Sequence, residues 1–248
     1  MSKKIRLRAL LMRSGEFERS AIVEQAIRNG EVTVDGKVIT NPEHSIKIKS
    51  MVKYNGGQVK AQELIYIILN KQTGRVCQKS TKEKTIYDDI AKIPEIDDKI
   101  KNTLFCVGRL DKDTEGLLVV TNDGQLEKLL TKKENRIIKT YRIEAMNPIT
   151  DENIETLEEG VNITDDDKEK IFFVKAIATK KLGTRKIEME IDEGKKRQIK
   201  KMFQAIGNEV VSLKRVGIGN LRIENVNFNE KNYVIINKSD LKLPKFTS

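Results

Sequence analysis

Asp111 is the residue of this chain whose type and setting best suit covalent chemistry. It follows Arg109 by two positions, and Gly116 separates it from the apolar run that begins at Leu117. A carboxylate that lies beside a guanidinium in a rigid turn stays ionised and fixed in direction, as a nucleophile requires. The same pattern fits an arginine–aspartate pair that only staples a loop, and an isolated pair of this kind is more often structural.

The other residues that could carry chemistry exclude several kinds of site. His44 is the single histidine, which argues against histidine-based acid–base catalysis and histidine metal ligands. Cys77 and Cys106 are too few and too isolated for a disulfide framework or a structural zinc site, so we expect two free buried thiols. The three aspartates at 165–167 predict an exposed turn rather than a metal site. We therefore expect chemistry that uses carboxylate, lysine, tyrosine or arginine, with no metal.

The charge of the chain points to a polyanionic partner. The 248 residues carry a formal net charge of +10 and have a sequence pI of about 9.4. Residues 1–60 contain 12 Lys and Arg against 6 Asp and Glu, so the basic excess is concentrated there. No apolar run reaches the roughly 20 residues of a membrane-spanning helix. The N-terminus lacks the apolar core of a signal peptide, and we expect a cytoplasmic protein without membrane contact.

The first 53 residues predict a small, separate domain. Apolar residues recur at helical spacing in 5–13 and 19–29, and the Asp35-Gly36 dipeptide between two alternating runs predicts a β-hairpin. The glycine-containing segment 54–62 is typical of a linker or a wide turn. Residues 63–248 then predict a larger domain.

The larger domain has the pattern of an α+β fold. Strands are predicted at 64–69, 117–121, 138–145, 171–179 and 185–192, and helices at 124–131, 151–160 and 197–207. Because the strands outnumber the helices and rarely alternate with them, we expect a mainly antiparallel, mixed sheet flanked by helices.

Four segments, in order along the chain, resemble one enzyme family. The run Gly108–Gly124 (GRLDKDTEGLLVVTNDG) looks like the catalytic motif of pseudouridine synthases of the subfamily that modifies ribosomal RNA. Lys139-Thr140-Tyr141 is similar to the tyrosine motif of that family, and the stretch from Glu193 to Phe203, continued by Leu213-Lys-Arg-Val, to its third motif. The first 50 residues are similar to the α-L RNA-binding domain, a helix–helix–hairpin unit that precedes the catalytic domain in this subfamily.

The resemblance implies a reaction and a role for each site residue. Uridine would be isomerised to pseudouridine without a cofactor: its glycosidic bond breaks, the uracil turns, and the ring is rejoined through carbon. Asp111 would be the nucleophile, Tyr141 would stack on the uracil, and Lys200 would face Asp111 and hold it ionised. The expected substrate contacts come from residues that extrude or hold the nucleotide: Arg109, Leu213 and Arg197.

The implied partner is RNA, which we expect to be ribosomal RNA or a ribosomal assembly intermediate, bound by a monomer. Basic residues of the first domain would contact phosphates: Arg6, Arg8, Arg13, Arg19 and Lys37. Two alternatives stay open. One is a non-catalytic RNA-binding or ribosome-assembly protein, which would have no use for Asp111, Tyr141 and Lys200 together. The other is a synthase that acts on transfer RNA.

Overall fold

The computed structural model describes residues 4–165 and 170–241, which form two compact units. The first comprises the described residues up to Tyr66 together with Asp88–Phe105 and Thr121–Gly124. The second comprises Ile67–Tyr87, Cys106–Val120 and the described residues from Gln125 onward. Two of the aspartates at 165–167, those at 166 and 167, lie outside the described residues.

The N-terminal elements of the first unit follow the predicted helix–helix–hairpin order, with additional strands. They are β1 (Lys4–Arg6), α1 (Leu7–Met12), α2 (Ser20–Arg28), β2 (Val32–Val34), β3 (Lys37–Val38), β4 (Ser45–Lys47), β5 (Val52–Tyr54) and β6 (Gly57–Val59). The predicted hairpin is confirmed: β2 and β3 pair antiparallel, and Asp35 and Gly36 both have positive φ, as a two-residue hairpin turn requires. The predicted first helix starts two residues late because Lys4–Arg6 pairs with β4 instead.

The segment predicted as a linker, 54–62, carries part of a second hairpin. β5 and β6 pair antiparallel around Asn55 and Gly56. Val59 is buried in the apolar cluster of this unit, with residues such as Leu11 and Ile27. The chain therefore continues the first fold through at least Val59, whereas the domain limits 1–53 and 63–248 stay a prediction.

The remaining elements alternate helices and strands irregularly. They are β7 (Tyr66–Lys71), α3 (Ile86–Ile90), α4 (Asp98–Thr103), β8 (Phe105–Val107), β9 (Glu115–Thr121), α5 (Gly124–Thr131), β10 (Lys139–Ala145), α6 (Asp151–Glu159), β11 (Val161–Asp165), β12 (Lys170–Val174), β13 (Ala178–Gly183), β14 (Lys186–Ile191), α7 (Gln198–Ala205), β15 (Val210–Ile218), β16 (Leu221–Arg222) and β17 (Tyr233–Ile236).

Most of these strands join one mixed sheet, which confirms the predicted α+β class. Among the described residues the sheet has nine strands, in the order β13-β14-β10-β15-β9-β7-β17, with β16 beside β15 and β8 beside β9. In this order, β13, β14, β10 and β15 pair antiparallel with one another, and β15 pairs parallel with β9. Four consecutive residues of β9, Leu117–Val120, are fully buried, as expected for a central strand covered on both faces.

Two strand predictions differ from the structure. The single strand predicted at 171–179 is two strands, since β12 pairs with β11 in a separate two-stranded sheet and β13 pairs with β14. The break follows Val174, where the amides of Ala176 and Ile177 donate to Leu157 and Glu190. β15 was not predicted, although it is the longest strand described and pairs with both β10 and β9.

Candidate active site

The Asp111 loop connects β8 to β9 and is shaped by two glycines. Gly108 and Gly116 both have positive φ, of +69° and +104°. A Cβ atom on Gly116 would lie 2.3 Å from the carbonyl oxygen of Arg215, so only glycine lets β9 pair this closely with β15. The turn itself is closed by the amide of Thr114, which donates to the carbonyl of Asp111 at 3.1 Å. Thr114 and Gly116 therefore shape the loop that presents Asp111 through their main-chain geometry.

Lys71, at the end of β7, holds this loop by its main chain. Its side chain is 1% exposed, and its ammonium donates to the carbonyl oxygens of Thr114 at 2.6 Å, Asp111 at 3.0 Å and Lys112 at 3.3 Å. Burial lowers the pKa of Lys71, while nearby groups, including Asp113 and Asp111, act in the opposite direction. Sequence reasoning gave Lys71 no role. The available signal was a lysine that ends an otherwise apolar strand.

A cleft of about 390 Å³ contains the carboxylate-bearing loop. It is lined by five of the six residues to which catalytic or substrate-binding roles were assigned: Arg109, Asp111, Tyr141, Arg197 and Leu213. The structure thus brings together residues that are up to 104 positions apart in the chain. Their individual roles stay predictions.

The expected ion pair between Arg109 and Asp111 does not occur among the described residues. Leu110, between them, is buried, while the Arg109 side chain is exposed and Asp111 is half-buried. In the described part of the chain, the Asp111 carboxylate has neither a hydrogen bond nor a salt bridge.

Lys200, the sixth assigned residue, pairs with Asp113 and not with Asp111. Its ammonium hydrogen-bonds the Asp113 carboxylate, and Arg197 lies 3.7 Å from the same oxygen. Partial burial would raise the pKa of Asp113, but the hydrogen bond and charge of Lys200, aided by Arg197, outweigh it and lower that pKa. The difference arises because the turn at 112–114 carries Asp113, and not Asp111, to the first turn of α7.

The start of α7 is fixed by Gln198, which is 3% exposed. Its side chain accepts from the amide of Lys195 at 2.9 Å and donates to Glu193 at 3.2 Å, so it closes the loop that precedes the helix. Arg197 has a left-handed backbone, with φ of +54°, at the residue before the helix. This geometry places Lys200 on the first turn and Arg197 at the edge of the cleft.

Tyr141 and Leu213 come from neighbouring antiparallel strands. Tyr141 lies on β10 opposite Arg215 of β15, and Leu213 lies opposite Ile143. Both side chains are mainly buried, with exposures of 8% and 6%. A register shift between Thr140 and Tyr141 marks a bulge, a device that re-aims side chains near sites. An aromatic ring and an aliphatic side chain on rigid strands suit the packing of a planar base.

A second cavity, of about 210 Å³, shares Arg109 and Tyr141 with the cleft and is lined by the buried Arg215 and the half-buried Lys139. Arg215 is 3% exposed; its Nε donates to the carbonyl of Leu117 at 2.8 Å, and its Nη2 has no hydrogen-bond partner in the described structure. Burial, and next the charge of Arg215, lower the pKa of Lys139. Both residues belong to the matched motifs, but neither was given a role.

The basic residues assigned to RNA binding in the first unit differ in their contacts. Arg6 pairs with Glu43 and Arg8 with Glu24, whereas Arg19 and Lys37 are exposed. Arg13 is half-buried and donates to the carbonyl of Gln62 at 2.8 Å. Burial lowers its pKa, against the opposing effects of Asp123 and Tyr66. Arg13 therefore donates to the main chain of its own unit, whereas Arg6 and Arg8 pair with carboxylate side chains.

The described residues contain neither a candidate metal site nor a candidate membrane-spanning helix. Within residues 4–165 and 170–241 there is no group of three or more His, Cys, Asp and Glu that could hold a metal ion. None of the helices in that part of the chain is both long and apolar enough to cross a membrane.

Two family models match the chain. The model described as RNA pseudouridylate synthase matches residues 65–205, which contain the Asp111 loop, Tyr141 and Lys200. The S4 domain model matches residues 5–53, which contain the helices and the first hairpin.

Curated relatives and a solved structure agree with these matches. Ribosomal large subunit pseudouridine synthase B of Bacillus subtilis (strain 168) is 32% identical over 212 residues, 85% of this chain and 84% of that protein. Ribosomal small subunit pseudouridine synthase A of Escherichia coli (strain K12) is 31% identical over 205 residues, 82% of this chain and 85% of that protein. A crystal structure of a pseudouridylate synthase is similar with a TM-score of 0.62 and 27% identity, over 90% of this chain and 93% of that one. The chain therefore belongs to the RNA pseudouridylate synthase family, as an isomerase that acts on RNA and carries an N-terminal S4 domain.

Proposed function

We propose that this enzyme isomerises a specific uridine of ribosomal RNA to pseudouridine, with Asp111 as the nucleophile. The observation that carries the proposal is the state of the Asp111 carboxylate, which lies in the cleft with Tyr141 and Leu213 and makes no ion pair among the described residues. Neither oxygen of this carboxylate is occupied by a charged partner there, so both are available to substrate.

The size of the cleft fits one extruded nucleotide. Its volume of about 390 Å³ lies at the lower end of the range typical of small-molecule sites, roughly 300–1,000 Å³. A uridine cannot be rearranged while it is stacked, so it must be flipped out at a cost of a few kcal/mol. Arg109, exposed at the rim, stacks on the neighbouring bases and contacts phosphate, which offsets that cost.

The reaction moves bonds within one nucleotide and is balanced without a co-reactant. The N1–C1′ glycosidic bond breaks, a C5–C1′ bond forms, and the proton lost from C5 is matched by one gained at N1. Asp111 attacks the sugar or the ring and is released again when the new bond forms. Tyr141 stacks on the uracil and assists the removal of the C5 proton, while Leu213 packs against the opposite side of the base.

Lys200 contributes as a positioning residue. Because it pairs with Asp113, it fixes the far side of the turn that carries Asp111 and does not neutralise Asp111 directly. Arg197, near the same carboxylate, adds positive charge at the rim, where the RNA backbone approaches.

The RNA class is inferred from relatives that act on both ribosomal subunits, since one similar enzyme is named for the large subunit and another for the small. We propose that the chain acts as a monomer in the cytoplasm, on ribosomal RNA or an assembling particle. The S4 domain supplies the first contact with RNA.

The direct test compares the wild-type enzyme with Asp111→Asn on large-subunit, small-subunit and transfer RNA. Carbodiimide labelling and primer extension detect each pseudouridine at its position. We expect one modified position in ribosomal RNA with the wild type and none with Asp111→Asn. Asp151→Asn is the matched control: this exposed aspartate of α6 pairs with Lys181, and the variant should keep full activity.

Three outcomes would contradict parts of the proposal. Product formation by Asp111→Asn would remove the nucleophile assignment. Modification of transfer RNA alone would support the alternative substrate. If the wild-type protein binds ribosomal RNA but forms no pseudouridine in any RNA, the result would support the non-catalytic alternative.

A further inference from the structure

The two cysteines, expected from the sequence to be isolated, are neighbours in the fold. Cys106 lies on β8, and its thiol donates to the backbone carbonyl of Cys77 at 3.3 Å. The segment around Cys77 is held in place because the amide of Val76 donates to Lys84 and its carbonyl accepts from Ile86, both at 3.0 Å. These are the only two cysteines in the chain. The fold therefore creates a pair of thiols from residues 29 positions apart.

The Cys77 sulfur is connected directly to the nucleophile loop. It accepts a hydrogen bond from the amide of Leu110 at 3.4 Å, and Leu110 is the residue before Asp111. Cys77 also lines the cleft that contains Asp111. Cys77 is only 6% exposed, so an oxidant would have to approach it from the cleft, and a change at the sulfur would alter a contact of the loop.

The surroundings favour the thiolate of Cys77. The side-chain hydrogen bond with Cys106 lowers the pKa of Cys77, burial acts in the opposite direction, and the Leu110 amide with the charges of Lys71 and Arg215 lowers it further. The hydrogen bond with Cys77 is the largest of the effects that raise the pKa of Cys106, and burial raises it further. The hydrogen bonds agree with this direction, because the Cys106 thiol donates to a carbonyl whereas the Cys77 sulfur accepts from the Leu110 amide, so Cys77 is the nucleophilic member of the pair.

We propose that Cys77 and Cys106 form a hydroperoxide-sensitive dithiol, whose oxidation to a disulfide displaces the Asp111 loop and switches the enzyme off. The Cys77 thiolate attacks the terminal oxygen of the hydroperoxide, forms a sulfenic acid and releases water or an alcohol. The Cys106 sulfur then attacks the sulfur of Cys77, forms the S–S bond and releases water. Overall, two thiols lose two hydrogens and two electrons, and one hydroperoxide is reduced.

The effect on activity follows from the bond between Leu110 and Cys77. When the Cys77 sulfur turns toward Cys106, it no longer accepts from the amide of Leu110, so the main chain next to Asp111 shifts. Misplacement of a reacting group by about 1 Å costs on the order of a hundredfold in rate. We expect the oxidised enzyme to be at least tenfold slower than the reduced enzyme.

The test exposes the full-length reduced protein to hydrogen peroxide and measures the bond itself before activity. We expect the count of free thiols to fall from two to none, and a peptide containing Cys77 to be found linked to one containing Cys106. Dithiothreitol should reverse both changes. An amide resonance of Leu110 that shifts on oxidation and returns on reduction would report the displacement of the loop independently of any RNA substrate.

Two variants separate the members of the pair. Cys106→Ser should keep the activity of the reduced wild type, form no disulfide, and stop at sulfenic or sulfinic acid on Cys77. Cys77→Ser should lose the response of the remaining thiol to peroxide. Two free thiols after a treatment that oxidises a dithiol standard would overturn the proposal, as would a disulfide that leaves both the Leu110 resonance and the rate unchanged. An enzyme that forms the disulfide but makes no pseudouridine when reduced would contradict the proposed function and not the dithiol.

Discussion

Lys200 forms its salt bridge with Asp113, two residues beyond the carboxylate that it was expected to face. The pair joins the first turn of α7 to the turn that follows Asp111. A lysine on a helix thereby affects the nucleophile through the loop and not through direct charge contact. This distinction is measurable.

A double-mutant cycle on Asp113 and Lys200 tests that indirect role. Asp113→Asn and Lys200→Met should each lower kcat about tenfold, or about 1.4 kcal/mol. The double variant should be no slower than the slower single variant, because both changes remove the same contact. Lys201→Met, the next lysine of α7, whose ammonium contacts the carbonyl of Thr164, is the control and should leave kcat unchanged. Additive losses of about a hundredfold would show that Lys200 acts independently of Asp113.

Replacement of Lys71 tests the support of the loop by buried hydrogen bonds. Lys71→Met keeps the length of the side chain but leaves the carbonyls of Asp111, Lys112 and Thr114 without their donor. We expect the free energy of unfolding to fall by roughly 2–4 kcal/mol, because unsatisfied buried acceptors are costly. Urea unfolding measures this loss, and Lys128→Met, at an exposed position of α5, is the control. Equal stabilities of the two variants would mean that the loop does not depend on Lys71.

Gly116 provides a test of the contact between β9 and β15. In Gly116→Ala the new methyl group would meet the carbonyl oxygen of Arg215, and the residue would keep a φ of +104°. We expect a loss of about 2–4 kcal/mol in unfolding free energy, or failure to fold. Gly124→Ala is the matched control, because a Cβ there meets no atom within 4 Å. Thermal unfolding of both variants measures this loss. A midpoint for Gly116→Ala equal to that of the wild type would contradict the prediction.

Glu188 should give the fold part of its dependence on acid pH. Partial burial would raise the pKa of Glu188, but hydrogen bonds from Arg222 and Arg142 outweigh it and lower that pKa. A carboxylate with a lowered folded pKa stabilises the protein above its unfolded pKa of about 4.5, and the contribution disappears as the pH falls through the folded value. Glu188→Gln should therefore be less stable than the wild type near pH 7 and should lose less on acidification below pH 4.5. Parallel unfolding curves for both proteins from pH 7 to pH 3 would contradict this.

The basic residues of the S4 domain should separate by their salt dependence. Arg19→Ala and Lys37→Ala remove exposed charges, and each should reduce the slope of log K for RNA against log salt by about 0.7–0.9 if it removes one phosphate contact. Arg13→Met should instead lower the stability of the domain, because the guanidinium donates to the carbonyl of Gln62. Titrations of RNA at several salt concentrations, beside unfolding curves, distinguish these effects. A reduced slope with unchanged stability for Arg13→Met would return Arg13 to the RNA-binding set.

The sequence predicted the residues of the cleft better than their contacts. Arg109, Asp111 and Tyr141 were found because their types and the ordered motifs around them identify a family, and the structure places them in one cleft. The predicted partner of Lys200 was wrong. A turn of three residues decides which carboxylate reaches α7, and no periodic pattern in the sequence encodes the direction of that turn.

Other features depend on contacts between distant segments. Lys71 was missed because the carbonyls that it binds lie about 40 positions later in the chain. The same holds for the thiol pair, which was read as two isolated cysteines. β15 escaped prediction because Lys214, Arg215 and Gly217 interrupt its apolar pattern, and their burial or pairing becomes visible only beside β9 and β10.

The hydrogen bonds from Lys71 to the Asp111 loop affect how the sequence of that loop can change during evolution. The ammonium donates to carbonyl oxygens, which every amino acid has, so these hydrogen bonds do not depend on which side chains the loop carries. Exposed loop residues such as Lys112 can be exchanged without loss of these hydrogen bonds. The side chains of this loop, and with them the choice of RNA target, can therefore change during evolution while the position of Asp111 is kept.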